Sequence, residues 1–305
     1  MVYLITQTLN GLFSAALLFL IASGLTLVFG VMRIVNIAHG SFYMLGVYVA
    51  YSVIARTQSL AAGAVAAMVV VAVIGFGVQR LLLRRFAAQP LAQMMMTMGL
   101  ALLFRDVALI VWGGDPFTLA YPAALRGSLE AGDVVFPAYR IFVIVVAAAV
   151  GALLWLINER TLIGARMRAA VDDPDMASAS GINVALLSGL VFGTGAALAA
   201  FGGVMGGPIL GGFPGVDFDL LPLAFVVVIV GGMGSLKGAL VGSVVVGMID
   251  NFGKALVPEL SYFTLFAPMI LVLAFKPTGL YGRSSVPGGE PRLRLRRLRR
   301  VRAAG

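Results

Sequence analysis

The densest group of polar residues within an otherwise apolar stretch is Arg33-Ile-Val-Asn36-Ile-Ala-His39-Gly40-Ser41. On a helix, Asn36 and Gly40 lie one turn apart on one face, and Asn36 and His39 are neighbours at i, i+3. A helix break near Gly40 and Ser41 would make backbone N–H groups and a positive dipole end available to a carboxylate. Asn36, His39, Gly40 and Ser41 are therefore candidates for a solute path. The simpler role for His39 is to bridge two packed helices.

A second Gly-Ser step lies in the other half of the chain, within Gly231-Gly-Met-Gly234-Ser235-Leu-Lys237-Gly238. It is not a phosphate-binding loop, because the Gly-x-x-x-x-Gly-Lys-Ser/Thr spacing is absent from the sequence. Close helix packing or a broken helix explains the glycines better, and Gly234 and Ser235 join the candidate path. Paired Gly-Ser steps in opposite halves suggest an internal repeat.

Three ionisable residues, Arg105, Asp106 and Asp250, fall inside hydrophobic segments. Adjacent residues point about 100° apart on a helix, so Arg105 and Asp106 are expected to reach different neighbours. Asp250 is the predicted partner of Arg105, because an isolated buried charge costs more than a pair. We expect structural roles for all three.

The composition excludes several classes of function. The sequence has one histidine and no cysteine, so a zinc site and thiolate chemistry are excluded. No catalytic constellation is evident, and we predict no enzyme activity, no cofactor and no metal site. Of the 305 residues 60% are hydrophobic and 11% are charged, against roughly 25% charged in soluble domains. The chain is not a water-soluble globule.

The fold predicted is an all-α, polytopic transmembrane helical bundle over residues 1–282. Stretches between charges long enough to cross a bilayer indicate eight or nine hydrophobic segments. The segment from Gly238 to Ile249 has only twelve residues before Asp250, so either Asp250 lies inside the membrane or this segment is re-entrant. The glycines from Gly202 to Gly212 suggest a loop.

Basic residues concentrate in alternate loops and at the carboxyl end. Residues 283–305 contain eight arginines against Glu290, and we expect a disordered tail there. In a membrane protein such a run marks the cytoplasmic side and attracts anionic lipid, which is a simpler explanation than nucleic-acid binding. The carboxyl end and the loop 159–183 are thus predicted to be cytoplasmic.

The loop 159–183 predicts a short helix on the membrane surface. Pro174 suits the first helical turn, Asp173 its N-cap and Gly181 its end. Small residues around Ala177 would let another protein approach closely. An ordinary loop helix without a partner is the alternative.

Four motifs occur in order along the chain: Val35-Asn-Ile-Ala-His-Gly40, the Gly164-to-Asn183 loop, Val230-Gly-Gly-Met-Gly-Ser-Leu-Lys-Gly-Ala-Leu-Val-Gly242 and Lys276-Pro-Thr-Gly-Leu-Tyr-Gly-Arg283. Together they resemble the LivH-type permease of bacterial branched-chain amino acid ABC importers. The resemblance implies a multi-pass inner-membrane subunit without an ATPase of its own. Its implied partners are two cytoplasmic ABC ATPase subunits, a periplasmic solute-binding protein and a second homologous permease, identical or distinct.

The resemblance also implies a coupling helix that docks on the ATPase. It matches the Asp172-to-Gly181 segment, and the residues expected to serve coupling are Gly164, Arg166, Asp172, Asp173, Ala177 and Gly181.

The substrates implied are leucine, isoleucine and valine. Urea and short amides, or other small organic acids, are alternatives within the same transporter type. A proton-driven secondary amino acid carrier, with His39 or Asp250 as relay, is the rival from another class.

Overall fold

The computed structural model describes residues 1–87 and 89–282, and the basic tail predicted over 283–305 lies outside them. The helices within the described ranges are α1 (Val2–Met32), α2 (His39–Thr57), α3 (Leu60–Leu81), α4 (Pro90–Trp112), α5 (Ala138–Arg160), α6 (Leu162–Asp172), α7 (Pro174–Ala179), α8 (Val184–Leu210), α9 (Val216–Gly231), α10 (Leu236–Leu256) and α11 (Ser261–Phe275). Short 3-10 turns occupy Leu83–Phe86, Ala123–Leu125 and Pro258–Leu260, and one hairpin pairs β1 (Ser128–Ala131) with β2 (Val134–Pro137). The prediction of an all-α bundle is confirmed.

Six helices in the described part of the chain are long and apolar enough to cross a membrane, namely α1, α3 with the turn after it, α4, α5, α8 and α10. The shorter α2, α9 and α11 have 19, 16 and 15 residues. These nine hydrophobic helices agree with the eight or nine segments predicted. Of the two alternatives at Asp250, the structure has the helix that contains this residue, because α10 continues through it to Leu256. The loop expected from Gly202 to Gly212 was wrong, because α8 remains helical to Leu210.

The centre of the bundle is built from α1 and α8. α1 packs against α8 and α10, and α8 packs against α3, α1 and α2. α1 and α8 approach closely because Gly24 and Gly195 have no side chain. A Cβ on either residue would meet the backbone of the other. Glycine and alanine let membrane helices pack closely, which explains why the glycines of α8 remain in a helix.

The bundle has two distinct ends. At the hairpin end, β1 and β2 lie beside the start of α5, and Phe117 exchanges backbone hydrogen bonds with Gly212. At the α6–α7 end, the last turn of α1 meets the α9–α10 turn, and Gly30 contacts Gly234. Residues 276–282 fold back there, with the Leu280 N–H donating to the Val230 carbonyl at 2.9 Å.

Candidate functional site

The second helix begins inside the bundle rather than at its end. Arg33 ends α1 in a left-handed conformation (φ 53°), and residues 34–38 are not helical. The ring of His39, the first residue of α2, then shares a hydrogen bond with the Ile21 carbonyl at 2.9 Å. Ile21 lies eleven residues before Met32, or about 16 Å along the α1 axis. The predicted break is real but lies before His39 rather than at Gly40 and Ser41.

His39 bridges the packed helices α1 and α2, which is the simpler of the two roles predicted for it. Because a carbonyl only accepts, Nε2 donates the proton in this bond, and in a neutral ring Nδ1 is left as an acceptor. Asn36 lies on the non-helical segment, with its carbonyl 3.4 Å from the His39 N–H. Both residues are fully buried.

The first turn of α2 meets the first turn of α9. The Ser41 hydroxyl donates to the Asp217 carboxylate (Oγ to Oδ2, 2.7 Å), and both residues are buried. Gly40 makes the approach possible, because a Cβ there would lie 2.5 Å from the Asp217 carbonyl oxygen. Two positive helix ends thus surround one carboxylate, an arrangement that offsets part of the cost of burying its negative charge.

Asp217 is a site residue that the sequence reasoning missed. The signal in the sequence is an acid two residues after Gly215, at the start of a short apolar segment, and its partner is 176 positions away.

Several buried polar atoms of this cluster find no hydrogen-bond partner in the described residues. They are the side-chain nitrogen and oxygen of Asn36, Nδ1 of His39 and Oδ1 of Asp217. Buried polar atoms are normally paired, and polar groups inside membrane bundles mark solute paths or pair with one another. The cluster therefore has donor and acceptor capacity left for water or a polar solute.

Gly234 and Ser235 are not brought to this cluster. Gly234 has a positive φ of 81° and contacts Gly30, nine residues beyond Ile21 on α1. The Ser235 hydroxyl caps α10 by accepting from the Gly238 N–H at 3.0 Å. The spatial counterpart to the Gly40–Ser41 step is instead the start of α9.

The predicted helix in the loop 159–183 is confirmed as α7. The Asp173 carboxylate accepts from the backbone N–H groups of Asp175 and Met176 at 3.1 and 2.9 Å, and Pro174 occupies the first turn. Gly181 follows the helix with a φ of 84°. α6 precedes it, capped by the Thr161 hydroxyl.

The residues expected to serve coupling divide into two groups. Arg166, Asp172, Asp173 and Gly181 are exposed, whereas Gly164 and Ala177 are buried within the subunit. A Cβ on Gly164 would collide with the Asn158 carbonyl, so this glycine serves the α5–α6 turn. The exposed large apolar residues of the segment are Leu162, Ile163 and Met176, which the sequence reasoning did not single out.

The predicted pair of Arg105 and Asp250 is wrong. Asp250 accepts from Lys254 at 2.7 Å, one helical turn later, and Arg105 lies 4.0 Å from Asp106. The physical reason is placement: α4 packs on α2, whereas α10 packs on α1, α9 and α11. The adjacent Arg105 and Asp106 lie 4.0 Å apart (Nε to Oδ1), and Arg105 also interacts electrostatically with Asp217, a different neighbour.

Comparison with known proteins places these features in context. Residues 7–273 match the family described as "Branched-chain amino acid transport system / permease component". The high-affinity branched-chain amino acid transport system permease protein BraD of Pseudomonas aeruginosa is 30% identical over 297 residues, covering 92% of this chain and 96% of BraD. The permease protein LivH of the corresponding Escherichia coli K12 system is 29% identical over 303 residues, covering 93% and 97%. The ribose import permease protein RbsC of Haemophilus influenzae is 28% identical over 180 residues, covering 56% and 54%.

Proposed function

The chain belongs to the permease-component family of branched-chain amino acid transport systems, and from that premise we propose that it forms the transmembrane path of an ABC importer for leucine, isoleucine and valine. The observation that carries the proposal is the family match over residues 7–273, which includes every membrane-length helix except the first few residues of α1. The subunit is a multi-pass protein of the bacterial inner membrane.

The buried cluster is the proposed part of the path inside the subunit. Asn36, His39 and Asp217 contribute unpartnered donor and acceptor atoms, Ser41 holds the Asp217 carboxylate, and Gly40 keeps the two helix ends close together. A zwitterionic amino acid presents an ammonium and a carboxylate, which need such groups when they leave water. Gly234 and Ser235 are assigned to the α9–α10 turn instead.

The α6–α7 segment is the proposed docking surface for one of two cytoplasmic ATPase subunits. Leu162, Ile163 and Met176 expose 75%, 55% and 64% of their surface on a projecting segment, beside the exposed charges Arg166 and Asp172. Exposed apolar residues with a charged rim are typical of protein-binding surfaces. Closure of the ATPase pair on nucleotide would move this segment and tilt the bundle as a rigid body.

The orientation follows from the basic residues. Arg80, Arg84, Arg85, Arg160 and Lys276 lie in loops or helix ends at the α6–α7 end, which is therefore proposed to be cytoplasmic together with the carboxyl terminus. The hairpin end then faces the periplasm and would receive the solute-binding protein. A cavity of about 360 Å³ lined by Arg126 and Arg140 lies there.

Reconstituted transport tests the proposal. Proteoliposomes with the complete importer should accumulate leucine only when ATP is inside and the binding protein with leucine is outside. Urea and ribose serve as control solutes. Accumulation driven by a proton gradient without ATP would establish the secondary carrier instead, and a binding protein that captures urea but not leucine would contradict the substrate assignment.

A pair of variants tests the docking surface. Met176→Asp should leave the subunit inserted and folded but reduce co-purification of the ATPase, because it places a charge on the apolar contact. Ser178→Asp adds the same charge on the opposite side of α7 and should retain the ATPase. Equal ATPase recovery with both variants would show that α7 docks by another face or not at all.

A further inference from the structure

The cavity at the hairpin end has a positively charged lining. It has a volume of about 360 Å³, its charged lining residues are Arg126 and Arg140, and the hydroxyl side chains of Tyr121 and Ser128 lie beside them. No acidic residue of the described ranges 1–87 and 89–282 lines it, and neither arginine has an ion pair with an acid in that part of the chain. Two unbalanced positive charges with neighbouring hydroxyl donors suit an anion.

Arg140 is held in position without being neutralised. Its guanidinium donates to the side-chain oxygen of Asn10 on α1, and its Cζ lies 5.4 Å from the ring centroid of Phe13 and 5.9 Å from that of Phe136. A neutral acceptor and two ring faces leave the charge and most of the N–H donors available. Because the side chain is already ordered, an anion that binds it need not supply the cost of ordering it.

The cavity lies at the height of the lipid phosphates. Arg140 directly precedes the uncharged apolar stretch 141–157 of α5. That stretch is about 26 Å long, close to the thickness of about 30 Å of the hydrocarbon core. When it occupies the hydrocarbon, Arg140 lies at the boundary between the acyl chains and the headgroups.

An apolar surface leads from the cavity along α5. Leu125 and Ile209 form part of the cavity wall. Ile144 and Ala148 follow Arg140 at i+4 and i+8, and Ala148 is exposed. The apolar stretch of α5 is buried over only 11%. A ligand with a phosphate in the cavity can therefore lay an apolar chain on α5.

We propose that this cavity binds the phosphate of an anionic phospholipid from the leaflet at the hairpin end, with Arg126 and Arg140 contacting the phosphate oxygens and an acyl chain lying along α5. Free phosphate shares the headgroup chemistry but gains nothing from the apolar surface. The inference requires only that α5 spans a membrane, and its test does not involve transport.

Photolabelling of the purified chain in phosphatidylcholine nanodiscs tests the site. A trace of phosphatidylglycerol with a photoreactive headgroup should label peptides within residues 121–140, as located by proteolysis and mass spectrometry. Excess unlabelled phosphatidylglycerol should abolish this labelling, whereas excess phosphatidylcholine or inorganic phosphate should not. The basic segment 283–305 also attracts anionic lipid, but its peptides are separate from those of the cavity.

Variants without one charge test the two arginines. Arg126→Gln should lower the affinity for the photoreactive lipid about fivefold, which corresponds to about 1 kcal/mol for one basic residue. Arg140→Gln should lower it about tenfold because it also removes ordered donors, and Arg140→Lys should recover part of the loss by returning the charge. Arg126 is exposed, so its variant tests the site even if Arg140→Gln does not fold.

Arg56→Gln is the matched control. Arg56 is exposed in the last turn of α2 at the same end of the bundle, but it does not line the cavity. Labelling of residues 121–140 should therefore be unchanged in this variant.

Four results would overturn the proposal. Displacement of the label by phosphatidylcholine would show that the cavity meets only bulk lipid. Displacement by inorganic phosphate would identify a free anion as the ligand. Equal losses with Arg126→Gln and Arg56→Gln would show that general surface charge attracts the lipid. Unchanged labelling of Arg126→Gln and Arg140→Gln, together with lost capture of the solute-binding protein, would show that the cavity receives an acidic group of that protein.

Discussion

The hydrogen bond between Ser41 and Asp217 gives the sharpest prediction about stability. Ser41→Ala removes the only hydrogen bond from another side chain to the Asp217 carboxylate within the described ranges, leaving both carboxylate oxygens without a donor side chain. A hydrogen bond to a charged group contributes about 1.5–3 kcal/mol, and an unsatisfied buried group adds its own cost. We therefore expect the free energy of unfolding to fall by about 2–3 kcal/mol.

The charge on Asp217 is tested by a double-mutant cycle. Asp217→Asn keeps an acceptor oxygen but removes the charge, so Ser41→Ala in that background should cost only about 1 kcal/mol. The coupling energy should then be about 1–2 kcal/mol. Ser23→Ala is the matched control, because Ser23 is equally buried but donates only to the Leu20 carbonyl of its own helix.

The free energy of unfolding is measured for the wild type, the two single variants and the double variant. Each is unfolded at equilibrium in mixed micelles that contain an increasing fraction of denaturing detergent. A coupling energy below about 0.5 kcal/mol would refute the reasoning, since additive changes mean independent sites. Equal losses from Ser41→Ala and Ser23→Ala would likewise show that the contact between α2 and α9 adds nothing beyond a local hydrogen bond.

Two further predictions concern packing and charge. Gly40→Ala should lower the free energy of unfolding by about 1–3 kcal/mol, because its Cβ would lie 2.5 Å from the Asp217 carbonyl oxygen. Gly77→Ala, whose Cβ meets no atom within 4 Å, should not destabilise the protein, and the same unfolding measurement compares the two. Lys254→Met should lower the free energy of unfolding by about 1 kcal/mol, because it leaves Asp250 without its cation; this figure is discounted for the exposure of the lysine. Lys254→Arg keeps the cation and should retain the wild-type stability. Equal stability of the two variants would show that the ion pair does not stabilise the protein.

The parts of the structure that the sequence predicted correctly depend on local signals. Asp173, Pro174 and Gly181 specify the ends of α7 through interactions within a few residues, and the structure confirms them. Long apolar intervals identify the membrane helices because the cost of a buried charge is large. At Asp250 the same rule left two alternatives open, and Lys254 one turn later supplies the partner that lets α10 continue through the charge.

The errors share a cause in tertiary contacts. The glycines of α8 suggested a loop, but Gly203 lies where a Cβ would collide with the Tyr43 carbonyl, so they reflect close packing. Asp217 was missed because Ser41, its partner, is 176 positions away. A sequence pattern indicates that a residue requires a close packing partner or a hydrogen-bond partner. It does not indicate which distant residue is that partner.

The fold places one helix between the two proposed functional regions. The Asn183 side chain caps α8 directly after the α7 segment, and α8 then runs through the centre of the bundle. Along its length Gly195 contacts Gly24, and Ala200 contacts Gly46 of α2. A displacement of α7 cannot be absorbed by side-chain motion where backbones touch, because such contacts leave no free space. We therefore expect movement at the proposed docking surface to be transmitted through α8 to α1 and α2, the helices that carry Ile21 and His39 on the two sides of the buried cluster.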